Sequence, residues 1–215
     1  NCQGVNSTSV RLCASWPLVK ARGPISIISQ SGTIAAALAC WAAEEGVGIS
    51  KLVALGNKCD VDEVELLSYL ADDSETGVIA LYIEGVRDGR KFMEVAKNAA
   101  SKKPVVVVKG GRTAKGAEAV LSHTRSLAGS DAVFDAAFRQ AGIIRALDVE
   151  DLYDICKGFA SLSLPKGENV VIVTSSGGSG ILATDACEEL GLNVVDLPAD
   201  VRDALNGKLP PECIL

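Results

Sequence analysis

The stretch "GPISIISQSGTIAAALACWAAEEG" (residues 23–46) decides how this chain is read. Its first part, "ISIISQ" (25–30), is a short apolar run that ends in a Ser/Gly turn, and "TIAAALACWAAEEG" then carries apolar residues at three- and four-residue spacing. Strand, glycine turn and helix in that order open a βαβ unit of a parallel sheet. Working outward, "KLVAL" (51–55), "VIALYIE" (78–84), "PVVVVKG" (104–110) and "IIRA" (143–146) are further buried strands. The intervening "DVDEVELLSYLADD" (60–73), "DGRKFMEVAKNAASK" (88–102) and "DAVFDAAFRQAG" (131–142) are crossover helices, and "DVEDLYDICKGFASL" (148–162) is one more amphipathic helix. The fold class is therefore α/β with a parallel sheet.

"SLPKGE" (163–168) reads as a Pro/Gly linker, after which the pattern restarts. Strand "NVVIVTS" (169–175), a glycine turn, helix "GILATDACEELG" (180–191) and strand "NVVDL" (193–197) begin a second α/β domain, left unfinished at 215. It repeats the architecture of the opening stretch without duplicating its sequence. Both ends read as cut, with no initiator Met at "NCQG" and no closing element after "LPPECIL".

Composition narrows the function classes. With 215 residues, 48% hydrophobic and 22% charged, the chain can bury one full core and part of another. A net charge of −6 without any Lys/Arg tract argues against nucleic-acid or anionic-membrane partners, which need clustered cations. No apolar run reaches bilayer length and no signal-peptide pattern opens the chain, so a cytoplasmic protein is expected. Seven scattered cysteines, an odd number without a C-x-x-C pair, fit free thiols, and no Cys/His cluster has metal-ligand spacing.

In open parallel sheets, ligands bind where strands end and helices begin. The turn "SQSGT" (29–33) offers unpaired helix N–H groups and the hydroxyls of Ser29, Ser31 and Thr33, with Gly32 permitting close approach of a phosphate. The plain alternative is that Ser31 or Thr33 only caps the helix. "TSSGGSG" (174–180) has the same design with more glycine, and matches neither a dinucleotide nor a P-loop fingerprint.

Taken together, "GPISIISQSGTIAAAL", "LGNKCDVDEVELLSYLADDSET", "IALYIEGVRDGRKFMEVAK", "KPVVVVKGGRTAKGAEAVLSHT", "SLAGSDAVFDAAFRQAGIIR" and "VVIVTSSGGSGILATDACEELGL" resemble the NDP-forming acyl-CoA synthetases, relatives of succinyl-CoA synthetase. The resemblance covers almost the whole chain in order. It implies a flavodoxin-like, doubly wound sheet over 23–162 and part of a second similar domain over 169–215, with 1–22 as the tail of an upstream CoA-binding domain and its linker. The implied reaction is acid + CoA + ATP ⇌ acyl-CoA + ADP + phosphate, carried by a phosphohistidine.

The residue matching that histidine is His123, the only one in the chain. A neutral imidazole is nucleophilic near pH 7. The Gly- and Ala-containing "GRTAKGAEAVLSHTRSLAGS" (111–130) is expected to be a long loop that swings it. Glu84 matches the glutamate that orients the imidazole, and the strands at 78–84 and 104–110 are expected to be neighbours. Ser29, Ser31, Gly32 and Thr33 resemble the first phosphate station, and Gly177, Gly178, Ser179 and Gly180 the second, on the nucleotide side. Asn57 and Asp60, in "GNKCDVD" (56–62), either shape a pocket or merely form a turn and cap. Arg125 stands where the family has glycine, so it either strains the segment or binds phosphate.

The resemblance also implies a CoA-binding domain, an ATP-grasp domain or subunit with ATP/ADP and Mg, a small carboxylic acid substrate, an oligomeric enzyme, and little activity in this stretch alone. Two other classes stay open. One is a non-catalytic regulatory module such as those in some protein acetyltransferases, which commonly lack the histidine. The other is a flavodoxin-like domain binding an unrelated phosphate ligand.

Overall fold

The computed structural model describes residues 4–14, 19–124, 129–205 and 208. The first unit ends at Ser163 and the second begins at Leu164.

The first unit is built on a seven-stranded sheet in the order β2-β1-β4-β3-β5-β6-β7. Its strands are β1 (Gly4–Ser7), β2 (Leu12–Ala14), β3 (Ile25–Ser29), β4 (Ile49–Ala54), β5 (Val78–Ile83), β6 (Val105–Lys109) and β7 (Ile144–Arg145). From β4 to β7 every pairing is parallel, with β5 and β6 side by side as expected. The parallel core starts on a central strand, steps outward to β4, then returns past β3 to β5, so the strand order reverses between β3 and β5. That is the flavodoxin order, and the reversal opens a crevice at the carboxyl ends of those two strands.

Strand residues alternate between two apolar layers, as a period of two requires. Ile25, Ile27, Val78, Ala80, Val106 and Val108 face one layer, and Ile28, Ile79, Leu81, Ile83, Val105 and Val107 the other. The first layer is closed by helices α1 (Gly32–Glu44) and α6 (Val149–Ser161), through Leu38, Ala42, Leu152 and Cys156. The second is closed by α2 (Glu63–Asp72), α3 (Gly89–Lys102) and α5 (Asp131–Ala141), through Leu67, Phe92, Ala96 and Phe138. Small residues on α1 and α3 let these helices lie close to the sheet. A capping box starts α2, with Asp62 accepting from Val64 N–H and Glu65 from Asp62 N–H.

Two features depart from the sequence reading. Residues 4–14 join this sheet: β1 pairs antiparallel with both β2 and the outer edge of β4. Its buried residues, Asn6 and Ser7, are polar, which hides the strand from any hydrophobic pattern. The expected long loop at 111–130 instead holds helix α4 (Ala114–Thr124). Ala114, Ala117, Glu118, Ala119 and Leu121 are strong helix formers, and Thr113 Oγ1 accepts the Gly116 N–H at its start, which outweighs one interior glycine.

In the second unit, β8 (Asn169–Val170) and β9 (Asn193–Val194) pair in parallel around α7 (Gly177–Glu189), and α8 (Ala199–Leu205) follows. Both strands are shorter than the apolar runs that announce them. Among the described residues each has the other as its sole neighbour, and Val173 is 92% exposed.

Candidate functional site at the carboxyl ends of the strands

At the end of β3 the chain turns on hydroxyls. Ser29 Oγ donates to Ser31 O (2.7 Å) and accepts from Ser31 N–H (3.1 Å), while Ser31 Oγ caps α1 by accepting from Ile34 N–H (3.3 Å). Ser29 is fully buried and spent on the turn, whereas Thr33 is exposed at the open end of the helix. The backbone N–H groups at the start of α1 therefore face outward at the crevice, where an anion is favoured. Ser31→Ala should cost about 1 kcal/mol of stability by loss of the cap, seen as a lower urea midpoint at unchanged slope.

Gln30, which sequence reasoning passes over, ties the two sides of the crevice together. Its backbone N–H donates to Tyr82 O (3.1 Å), and its side-chain Oε1 accepts from the N–H groups of both Glu84 and Gly85, the latter at 3.2 Å. Glu84, just beyond β5, is 6% exposed and accepts a hydrogen bond from Tyr82 Oη at 3.4 Å. Burial, and then the charge of Glu84, push the Tyr82 phenol up to about 12, so it remains a donor across the physiological range.

Beside them, β6 ends in Lys109, 2% exposed, whose Nζ donates to Gly110 O and lies 4.7 Å from the Phe134 ring centroid. Burial draws its pKa below the ordinary lysine value, against the opposing pull of Asp131. With Gly110, Gly111, Arg112, Thr113 and Asp131 it lines an open cleft leading into α4. Gly110 is required by closeness: a Cβ there would stand 2.8 Å from Tyr82 Oη and 3.5 Å from Glu84 Cγ. Gly110→Ala should therefore turn the Tyr82 hydroxyl away from Glu84 and cost about 1–3 kcal/mol through overpacking, measurable by chemical denaturation.

The loop after β4 approaches the same edge. Gly56 and Lys58 both adopt positive φ (55° and 56°). Lys58 is buried, its Nζ 2.7 Å from Glu63 Oε2 and donating to Gly85 O at 2.6 Å. Asn57 and Asp60 are exposed at the loop's tip. The sequence reading singled out those two and missed Lys58, which lies between them.

His123 lies in the last turn of α4, in the element that leaves the cleft at Lys109. Arg125 falls outside the described residues. In the second unit, the start of α7 repeats the first turn bond for bond. Thr174 Oγ1 donates to Ser176 O (3.2 Å) and accepts from Ser176 N–H (3.0 Å), and Ser176 Oγ accepts from Ser179 N–H (3.3 Å). Gly177, Gly178, Ser179 and Gly180 form an exposed helix N-terminus there. Among the described residues no three His, Cys, Asp or Glu side chains gather as metal ligands, and no helix is long and apolar enough to cross a membrane. A broad depression between α2 and α3, lined by Glu65, Tyr69, Asp72 and Lys91, holds none of the strand-end groups.

Comparison with known proteins follows the same two-unit division. Residues 22–159 match the model of the succinyl-CoA ligase like flavodoxin domain, and residues 170–214 that of the ligase-CoA domain. The chain is 45% identical over 212 residues to the acetate–CoA ligase [ADP-forming] I subunit alpha of Pyrococcus furiosus, covering 98% of this chain and 46% of that subunit. It is 39% identical over 216 residues to the 4-hydroxybutyrate–CoA ligase [ADP-forming] of Nitrosopumilus maritimus, covering 31% of that protein. The structure of Ca. Korarchaeum cryptofilum dinucleotide forming acetyl-coenzyme A synthetase 1 in complex with phosphate and ADP superposes with a TM-score of 0.88 at 38% identity, over 97% of this chain and 46% of the other. The chain thus spans less than half the length of these relatives.

Proposed function

The chain belongs to the family of the succinyl-CoA ligase like flavodoxin domain, and from that premise we propose that it is the phosphoryl-carrying part of an ADP-forming acyl-CoA ligase. The reaction is acid + CoA + ATP ⇌ acyl-CoA + ADP + phosphate. The observation that carries this reading is the meeting, through Gln30, of a buried carboxylate (Glu84) and the open N-terminus of α1 at the crevice where the strand order reverses. A cationic imidazole and a phosphoryl group are what such a pair accommodates.

In the synthetic direction His123 attacks the γ-phosphorus of ATP: a P–N bond forms, the P–O bond to ADP breaks, and ADP leaves with the electron pair. The carboxylate of the acid then takes the phosphoryl group, regenerating the imidazole and giving an acyl phosphate. The CoA thiolate displaces phosphate from that acyl phosphate. Glu84 accepts the ring N–H opposite the reacting nitrogen, fixing the tautomer and stabilising the charge that develops. Ser31, Gly32 and Thr33 receive the phosphoryl group at the α1 N-terminus, with Ser29 shaping the turn beneath them. Gly177, Gly178, Ser179 and Gly180 serve the nucleotide side, and Asn57 and Asp60 border the pocket.

The complete enzyme, by this reading, is a cytoplasmic oligomer that joins this chain to a CoA-binding domain and an ATP-grasp domain or subunit. Mg supplies charge neutralisation of the nucleotide phosphates there. The domain limits follow the same scheme, with 23–162 bearing the phosphohistidine and 169–215 starting the second ligase domain. The test is incubation of the complete protein with γ-labelled ATP. Acid-labile, base-stable label that is discharged by the acid and CoA together supports the reading; protein that never takes up label sinks it and favours a regulatory module.

A further inference from the structure

Lys58 combines three unusual properties. It is 4% exposed, its φ of 56° is rarely adopted by a residue with a side chain, and its partner Glu63 is fully buried. A non-glycine residue keeps such a conformation only where its surroundings enforce it, and such positions cluster at functional sites.

What enforces it here is a reciprocal clasp between two strand-end loops. Lys58 Nζ donates to Gly85 O at 2.6 Å, and the Arg87 guanidinium donates back to Lys58 O and to Asn57 O, the latter at 3.5 Å. The ammonium is set in place from behind by Glu63 Oε2 at 2.7 Å. Gly85 is consequently held at both ends of its backbone: its N–H by Gln30 from the β3 turn, its C=O by Lys58 from the β4 loop. Glu84 is the residue immediately before it, and its own N–H is bound by the same Gln30 oxygen.

We propose that Lys58, supported by Glu63 and Arg87, is a positioning residue that fixes the direction of the Glu84 carboxylate for phosphoryl transfer. The inference rests on the role of Glu84 proposed above. With the clasp closed, Glu84 meets the imidazole in one geometry; with it open, the 84–87 turn samples several and the orienting hydrogen bond forms only part of the time.

Lys58→Met alone would strand the Glu63 carboxylate in the interior, so the informative variant is Lys58→Met/Glu63→Leu, which replaces the buried pair by apolar groups of similar size. Arg87→Met, at an exposed position, opens the other half of the clasp without touching the core. In the complete protein, labelling from γ-labelled ATP should slow about 10-fold in the paired variant and less in Arg87→Met. Adding either change to Glu84→Gln should then slow labelling by no more than about 2-fold further, because the clasp acts through Glu84. Parental labelling rates in both clasp variants beside a slow Glu84→Gln overturn this inference alone, and so do effects that multiply fully in the Glu84→Gln background. A parental rate in Glu84→Gln overturns the role of Glu84 and this inference with it.

Discussion

Replacing His123 by alanine is expected to abolish acid-labile, base-stable phosphorylation of the complete protein and its acyl-CoA synthesis together. The imidazole is the covalent carrier in the proposed sequence, and residues 1–215 hold no second histidine. Removing a nucleophile that forms the intermediate leaves only the background of substrate positioning, a fall of at least about 10³-fold in kcat. The urea midpoint of His123→Ala, measured beside the parent's, separates loss of the carrier from loss of the fold. Equal labelling of His123→Ala and parent, each measured by scintillation after base treatment, refutes the phosphohistidine.

Glu84→Gln should give the next largest effect, a fall of about 100-fold in the rate of phosphohistidine formation. The amide is isosteric, so Tyr82 retains an acceptor and the hydrogen bonds from Glu84 and Gly85 N–H to Gln30 are unaffected. On the proposed role of Glu84, what is lost is the negative charge opposite an imidazole that becomes cationic on phosphoryl transfer. The loss therefore falls on kcat far more than on KM for ATP. A rise in KM at constant kcat would instead assign Glu84 to nucleotide binding. Adding formate to the Glu84→Gln enzyme tests whether a free carboxylate restores part of the rate.

The sheet was legible because its code is local. The central strands β3, β5 and β6 are short, predominantly apolar runs, and their alternate residues serve two helix layers that the amphipathic spacing already announces. The Ser31 turn was legible for the same reason, lying at the carboxyl end of a recognisable strand, whereas Glu84 was singled out by the family resemblance. The groups that hold them were not. Gln30 meets Glu84 across 54 residues of sequence and Lys58 meets Gly85 across 27, and no short-range pattern encodes such partners. The turn chemistry shared by Ser29–Ser31 and Thr174–Ser176 appears in the sequence only as hydroxyls two apart. Likewise α4 was obscured by its Gly116 and by the glycines on either side, although its alanines favour helix.

The β1–β2 hairpin has a bearing on how copies of this molecule treat one another. Without it, β4 would present Ile49–Ala54 as an open row of backbone donors and acceptors, six residues of high β-propensity available to any passing strand. Antiparallel pairing from Gly4↔Ala54 to Ser7↔Lys51 closes that row, and the flank then exposed is β2, three residues long and followed by no further ladder among the described residues. At the opposite flank β7 is only two residues long. Among the described residues the sheet thus ends on both sides in strands too short to recruit a stranger, which guards it against chain-to-chain aggregation.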